Sequence, residues 1–184
     1  FTELEVAEIM KQLFSAISYL HGNKITHKNI IPSNVMLDQN LNVTLIDFGL
    51  GRLTKKGMVI NTKKDISQFT APESYNGYYT DKSDVWSLGN LLYFIFAGKL
   101  PFSTDGAMDV FKKSAQRNLT FKSACWYDVS KEAKKLICQM MQGDPEKRPD
   151  HLALVSHTWF DAADRQAMMR KIDKVDKEAQ RLQI

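Results

Sequence analysis

A mainly α domain of the α+β kind, with one central buried helix and a small β-hairpin, is the fold class this sequence predicts. Three observations carry it. Val6, Ile9, Met10, Leu13, Phe14, Ile17 and Leu20 recur at spacings of three and four, the period of a helix with one apolar face. Val85, Trp86, Leu88, Leu91, Leu92, Tyr93, Ile95 and Phe96 put apolar side chains on nearly every face of a second segment, as in a helix surrounded by protein. Two short runs, Asn34 to Leu37 and Asn42 to Ile46, flank the turn-forming Asp38, Gln39 and Asn40.

The first helix opens on Thr2 and Glu5, the S/T-x-x-E capping box, covers 4–20 and stops near Gly22. The hairpin follows and points at Asp47. From Leu50 to Thr70 no period is sustained, which predicts an irregular loop longer than the usual connection. Asp81 opens the central helix and Gly98 ends it. Further helices are predicted at 106–115, at 131–142 behind Ser130 as N-cap, and at 150–158 behind Asp150, with Gly143, Asp144 and Pro145 breaking the chain between the last two. In the tail, Met168, Ile172, Val175, Ala179 and Leu182 keep the spacing of a helix seam, which docks back on the domain or onto another helix.

With 184 residues and no polar low-complexity stretch, the chain fits one core of ordinary size. A first residue Phe1 and a helix pattern starting at once predict that the sequence begins inside a longer polypeptide. No apolar run reaches the roughly 18 residues needed to cross a bilayer, and no signal-peptide order opens the chain, so a soluble, cytoplasmic location away from membranes is expected. Cys125 and Cys138 have no CxxC spacing; each is expected in an apolar setting where a free thiol behaves as a small hydrophobe, in a reducing compartment, not as a zinc ligand. The net charge of +4 is concentrated between Arg52 and Asp65, where Arg52, Lys55, Lys56, Lys63 and Lys64 face one acid. A nucleic-acid binder carries a broader basic face with interleaved aromatics, so this segment suggests an acidic protein partner instead.

Four motifs in order carry a resemblance. His27-Lys28-Asn29, with Pro32 and Asn34, is similar to H-R-D-x-K-P-x-N; Asp47-Phe48-Gly49 is D-F-G; Ala71-Pro72-Glu73 is A-P-E; Asp84 to Gly89 resembles the start of the central helix that follows, and Arg148 completes the set. Together they resemble the C-terminal lobe of the eukaryotic protein kinases. Ala7 to Leu20 and His157 to Phe160 look most like the calcium-dependent and calmodulin-dependent serine/threonine group. The resemblance implies a kinase-like large lobe over 1–160, a helical extension over 161–184, and a small N-terminal lobe that lies outside this sequence. It implies that Asn34 and Asp47 receive Mg²⁺ and, given an upstream small lobe, ATP. It further implies structural roles for four residues: Glu73 and Arg148 as a buried ion pair, Asp84 as acceptor for the backbone of the His27 loop, and His27 as a packed residue without acid–base work.

Where that family carries its catalytic base, this chain has Asn29, and an amide is not a base at neutral pH; loss of a positioned base costs roughly 10² to 10⁴-fold. The lysine that balances charge on the transferring phosphoryl group is replaced by Ile31, which has no donor. The threonine of the G-T-x-x-Y-x-A-P-E pattern falls at Ile66, and Lys28 replaces an arginine whose bidentate fork an ammonium cannot reproduce. Residues for folding and for metal are kept while those that act on a substrate hydroxyl are lost together. The predicted function is a pseudokinase acting by protein binding, as scaffold or allosteric partner. The alternatives are an active serine/threonine kinase with an atypical site, and a structural component of a larger assembly.

Overall fold

In the computed structural model, which describes residues 1–48, 52–53, 67–102 and 119–164, a helical body carries two short antiparallel strand pairs. Helix α1 runs Glu3–Gly22 and starts on the expected capping box: Glu5 N donates to Thr2 Oγ1 at 3.3 Å, and Thr2 N donates to Glu5 Oε2 at 2.6 Å. All seven residues of its predicted apolar stripe are buried. Two polar residues share that stripe, Glu3 at its start and His21 at its end, and both turn out to be anchors.

Strand β1 (Ile25–Thr26) follows, then β2 (Val35–Leu37) behind a 3₁₀ turn at Pro32–Asn34, and β3 (Val43–Leu45). β2 and β3 form the predicted hairpin, with Val35 opposite Leu45 and Leu37 opposite Val43. Val35, Val43 and Leu45 pack on the core, while Met36 and Thr44 are exposed, the alternation a one-sided hairpin requires. Gln12 fixes the hairpin to α1: its Nε2 donates to Leu41 O at 2.8 Å and its Oε1 accepts from Val43 N at 2.9 Å. A second pair was not legible in the sequence. β4 (Arg52–Leu53) lies antiparallel to β1, and strands of two residues are too short to show a period.

Helix α2 spans Asp81–Ala97, and the eleven residues Ser83 to Tyr93 are buried without interruption, so its surroundings are protein on every side. Gly98, at φ 65°, closes it in the left-handed conformation that glycine adopts at least cost, its N–H donating to Phe94 O at 2.8 Å. Gly89 is present for space: a Cβ there would lie 2.7 Å from Met141 Cγ and 3.0 Å from Met140 Cβ. Helix α3 (Lys131–Met140) and helix α4 (His151–Val155) start on the predicted caps, Ser130 Oγ and Asp150 Oδ1 accepting from Ala133 N and Ala153 N. Both end earlier than expected. Met141 leaves helical geometry ahead of the 3₁₀ turn Pro145–Lys147, and after a break at Ser156 the chain is helical again over residues 159–164.

The core gathers on α2. Trp126 meets Tyr93, Phe96 and Phe121 at centroid distances of 4.8, 5.7 and 4.7 Å, and Trp86 stacks on Phe102 at 6.1 Å. Glu3 joins three elements from the end of the α1 stripe: it accepts from Trp159 Nε1 at 2.8 Å, from Ser130 N at 2.8 Å, and from Ser130 Oγ. One expectation is corrected here. Cys125 is exposed rather than buried, because its 3₁₀ turn, Ala124–Trp126, turns Trp126 inward instead; its Sγ lies 3.1 Å from Ser123 Oγ. Cys138 is half-buried, and burial raises its thiol pKa. The predicted helix at 106–115, the seam from Met168 to Leu182, and Ile66 with the lysines around it lie outside the described residues. Among the described residues no helix is long and apolar enough to cross a membrane.

Candidate active site

The segment from Thr26 to Asn34 turns away from β1 toward the hairpin, and its shape is set from beneath by Asp84. This carboxylate, 1% exposed in the first turn of α2, accepts from His27 N and Lys28 N, each at 2.8 Å, and lies 2.9 Å from His21 Nε2. A buried carboxylate needs such donors, and the α2 N-terminus adds a favourable dipole. Lys28 sits at φ 71°, a left-handed conformation costing roughly 1–2 kcal/mol for a residue with a Cβ, and its N–H bond to Asp84 is what holds it there. His27, fully buried, accepts from Asn29 N through Nδ1 at 3.3 Å and packs its ring on Phe48 at 4.7 Å. Burial lowers its pKa below the ordinary 6.5, outweighing the opposing pull of Asp84, so it remains a neutral packed group.

Above this floor lie the residues in question. Asn29 Nδ2 donates to Asp47 Oδ2 at 2.9 Å, and Asn34 Nδ2 donates to the Asn29 backbone carbonyl at 2.9 Å. Asn29 therefore touches both candidate metal ligands, one through its side chain and one through its backbone. Asn34 is buried within the 3₁₀ turn, and its carbonyl accepts from Ile46 N at 2.9 Å, which joins the base of the hairpin to the loop. Asp47 is exposed and adopts φ 64°. Ile31 is half-buried and extended ahead of Pro32, and its side chain offers no polar atom. Ile66 lies outside the described residues, so three of the four substrate-side and metal-side positions other than Asp47 are placed: Asn29, Ile31 and Asn34.

As ligands, Asp47 and Asn34 supply one anionic and one neutral oxygen donor. That set fits Mg²⁺ in the manner of a phosphate-bridging site, since Mg²⁺ takes one or two protein oxygens and completes its octahedron with water and phosphate. It does not fit an all-protein cage: among the described residues no three His, Cys, Asp or Glu side chains gather into a metal group. As chemistry, the described loop carries an amide, Asn29, where the resemblance places the catalytic base. The group at position 29 is a donor, and it is spent on Asp47.

Glu73 and Arg148 meet some distance along the chain from the cleft. The fork is bidentate, Nη1 to Oε1 at 2.7 Å and Nη2 to Oε2 at 2.9 Å, with the Arg148 side chain wholly buried. Arg148 also donates to the carbonyls of Gln142 and Lys82 at 2.8 and 2.9 Å and lies 5.0 Å over the Trp86 ring. Ser83 Oγ donates to Glu73 Oε1 at 3.1 Å. The pair ties the 3₁₀ turn Pro72–Asn76 to α2 and to the turn before α4.

Three residues of this arrangement were missed from sequence: His21, Gln12 and Ser83. For His21 a signal existed, since it falls four residues after Ile17 and continues the buried stripe, where an imidazole needs a partner. Gln12 and Ser83 carried none, being polar residues whose partners are distant in sequence.

The sequence family described as Protein kinase domain matches residues 1–160. Myosin light chain kinase A of Dictyostelium discoideum is 32% identical over 164 residues, 87% of this chain and 56% of that protein. Calcium-dependent protein kinase 5 of Plasmodium berghei (strain Anka) is 31% identical over 163 residues, 87% of this chain and 29% of that protein. The chain thus spans little more than half of the first relative and under a third of the second.

Proposed function

The chain belongs to the protein kinase domain family, and on that premise we propose that it forms the large lobe of a pseudokinase, which acts by binding other proteins and does not transfer phosphate. The observation that carries this reading is the 2.9 Å bond from Asn29 Nδ2 to Asp47 Oδ2. A group that must accept a proton from a substrate hydroxyl is here a donor turned to a metal ligand, and Ile31 beside it has no charge to offer the phosphoryl group. The supporting contrast is that the architectural parts keep full hydrogen bonding: Asp84 under the loop and Arg148 with Glu73.

In this reading Asp47 and Asn34 hold Mg²⁺, and an upstream small lobe would complete a nucleotide cleft over the exposed Met36, Ile46 and Phe48. Bound Mg²⁺ would neutralise nucleotide phosphates. Asp47 and Asn34 would orient them, and no residue in the described part of the cleft would withdraw the proton of an acceptor hydroxyl. The partner is a protein, and an acidic surface is the proposed match for the basic segment from Arg52 to Lys64.

The test is rescue. Peptide phosphorylation by the full-length protein is compared with that of the Asn29→Asp/Ile31→Lys variant. A rise of about 10² or more is expected, the value of a positioned base. Measurable wild-type turnover that the two substitutions leave within about twofold would instead show an active kinase working by another arrangement.

A further inference from the structure

We propose that the Asn29 carboxamide is a built-in substitute for the divalent cation, a positioning residue that satisfies Asp47 without metal and so sets the cleft to low cation affinity. The inference rests on the reading that Asp47 and Asn34 are the metal-side ligands. An acid at position 29 would stand next to Asp47 as a second negative charge, and the two would repel until a cation came between them. Asn29 reverses that relation. Its Nδ2 lies 2.9 Å from Asp47 Oδ2, at charge-assisted hydrogen-bonding distance, so the carboxylate is already partly neutralised.

Two further observations point the same way. Among the described residues no three His, Cys, Asp or Glu side chains gather into a metal group, so a cation at Asp47 leans heavily on that one carboxylate. A cation therefore has to compete with the Asn29 amide for the Asp47 carboxylate. Asn34, the neutral ligand, is held separately, by the Asn29 backbone carbonyl at 2.9 Å. Side-chain substitutions at 29 leave that bond in place, and so isolate the contact with Asp47.

The experiment is Mn²⁺ binding to the full-length protein, read from the free-ion electron paramagnetic resonance signal, for wild type, Asn29→Ala, Asn29→Asp and Asp47→Asn. Removing the competing donor in Asn29→Ala is expected to tighten Mn²⁺ binding about three- to tenfold, the worth of a partly exposed charge-assisted bond. Asn29→Asp, which adds a unit charge beside a divalent ion, is expected to tighten it by about tenfold or more at low salt. Asp47→Asn is expected to abolish it. Binding in Asn29→Ala that equals or falls below wild type, with Asp47→Asn still abolishing it, overturns the inference and leaves the metal-side reading of Asp47 intact. Binding indifferent to Asp47→Asn, or undetectable in every variant, overturns both. Phosphate transfer by the wild type would overturn the proposed function without bearing on this result.

Discussion

Truncating Glu73 to alanine strands a guanidinium that has no access to water. The Arg148 side chain is wholly buried and that of Glu73 is 16% exposed, with the two forks joined at 2.7 and 2.9 Å. Breaking such a pair by removing one partner costs about 3–5 kcal/mol, because the remaining charge is left uncompensated. Arg148 would keep its carbonyl acceptors on Gln142 and Lys82 and the face of Trp86, which places Glu73→Ala toward the lower end, about 3 kcal/mol. Urea unfolding followed by the fluorescence of the three tryptophans reads this directly. For a urea slope of about 2 kcal/mol/M the midpoint falls by about 1.5 M. The double variant Glu73→Ala/Arg148→Met removes the stranded charge as well as the pair. Its loss should fall short of the sum of the single losses by about 1 kcal/mol or more. A Glu73→Ala stability within about 0.5 kcal/mol of wild type, or strict additivity in the cycle, would refute the reasoning.

Glu3→Ala removes the acceptor shared by Trp159 Nε1 and Ser130 N, and leaving the buried indole N–H and the part-buried Ser130 N–H unmet is expected to cost about 2–4 kcal/mol in the same urea assay, with Glu3→Gln milder. Gly89→Val pushes branched carbon into Met140 and Met141 and should cost about 1–3 kcal/mol; a neutral result would mean that α2 and α3 separate freely there. Burial lowers the pKa of His27 and of His157 below 6.5, so as pH falls past that value the unfolded chain takes up protons before the folded one does. Melting temperature should therefore be nearly flat above about pH 6.5 and fall below it, less steeply in His157→Asn; a melting temperature that rises on acidification from pH 7 to 5 would contradict this. The carboxylates of Glu5, Asp38 and Asp150, held low chiefly by hydrogen bonds to backbone and side-chain donors, add their loss only at more acid pH.

Local signals were the legible ones. The α1 stripe, its Thr2–Glu5 box, the caps at Ser130 and Asp150, and the unbroken apolar run of α2 are each written within one turn or a few turns of sequence, and the structure carries all of them. What escaped depends on distance. The β1–β4 pair joins residues 25 and 53, and Gly89 looks like an ordinary helix glycine until α3 is laid against it. Cys125 was misread because an apolar neighbourhood in sequence says nothing about which side chain of a 3₁₀ turn faces inward; there it is Trp126. At the cleft, residue types alone supplied the reading that base and lysine are replaced at Asn29 and Ile31. The bond from Asn29 to Asp47 could not be read that way, since it depends on the left-handed turn at Asp47 and on a loop held by Asp84.

The central claim is that this cleft binds without transferring, and single-turnover phosphate transfer tests it most directly. Full-length protein in excess over γ-labelled Mg-ATP, with a serine/threonine peptide at saturating concentration, reports the chemical step free of product release. The account predicts transfer at least about 10²-fold below the 1–100 s⁻¹ of working kinases, the deficit expected when the base is an amide. Transfer within that range, abolished by Asp47→Asn, would contradict it.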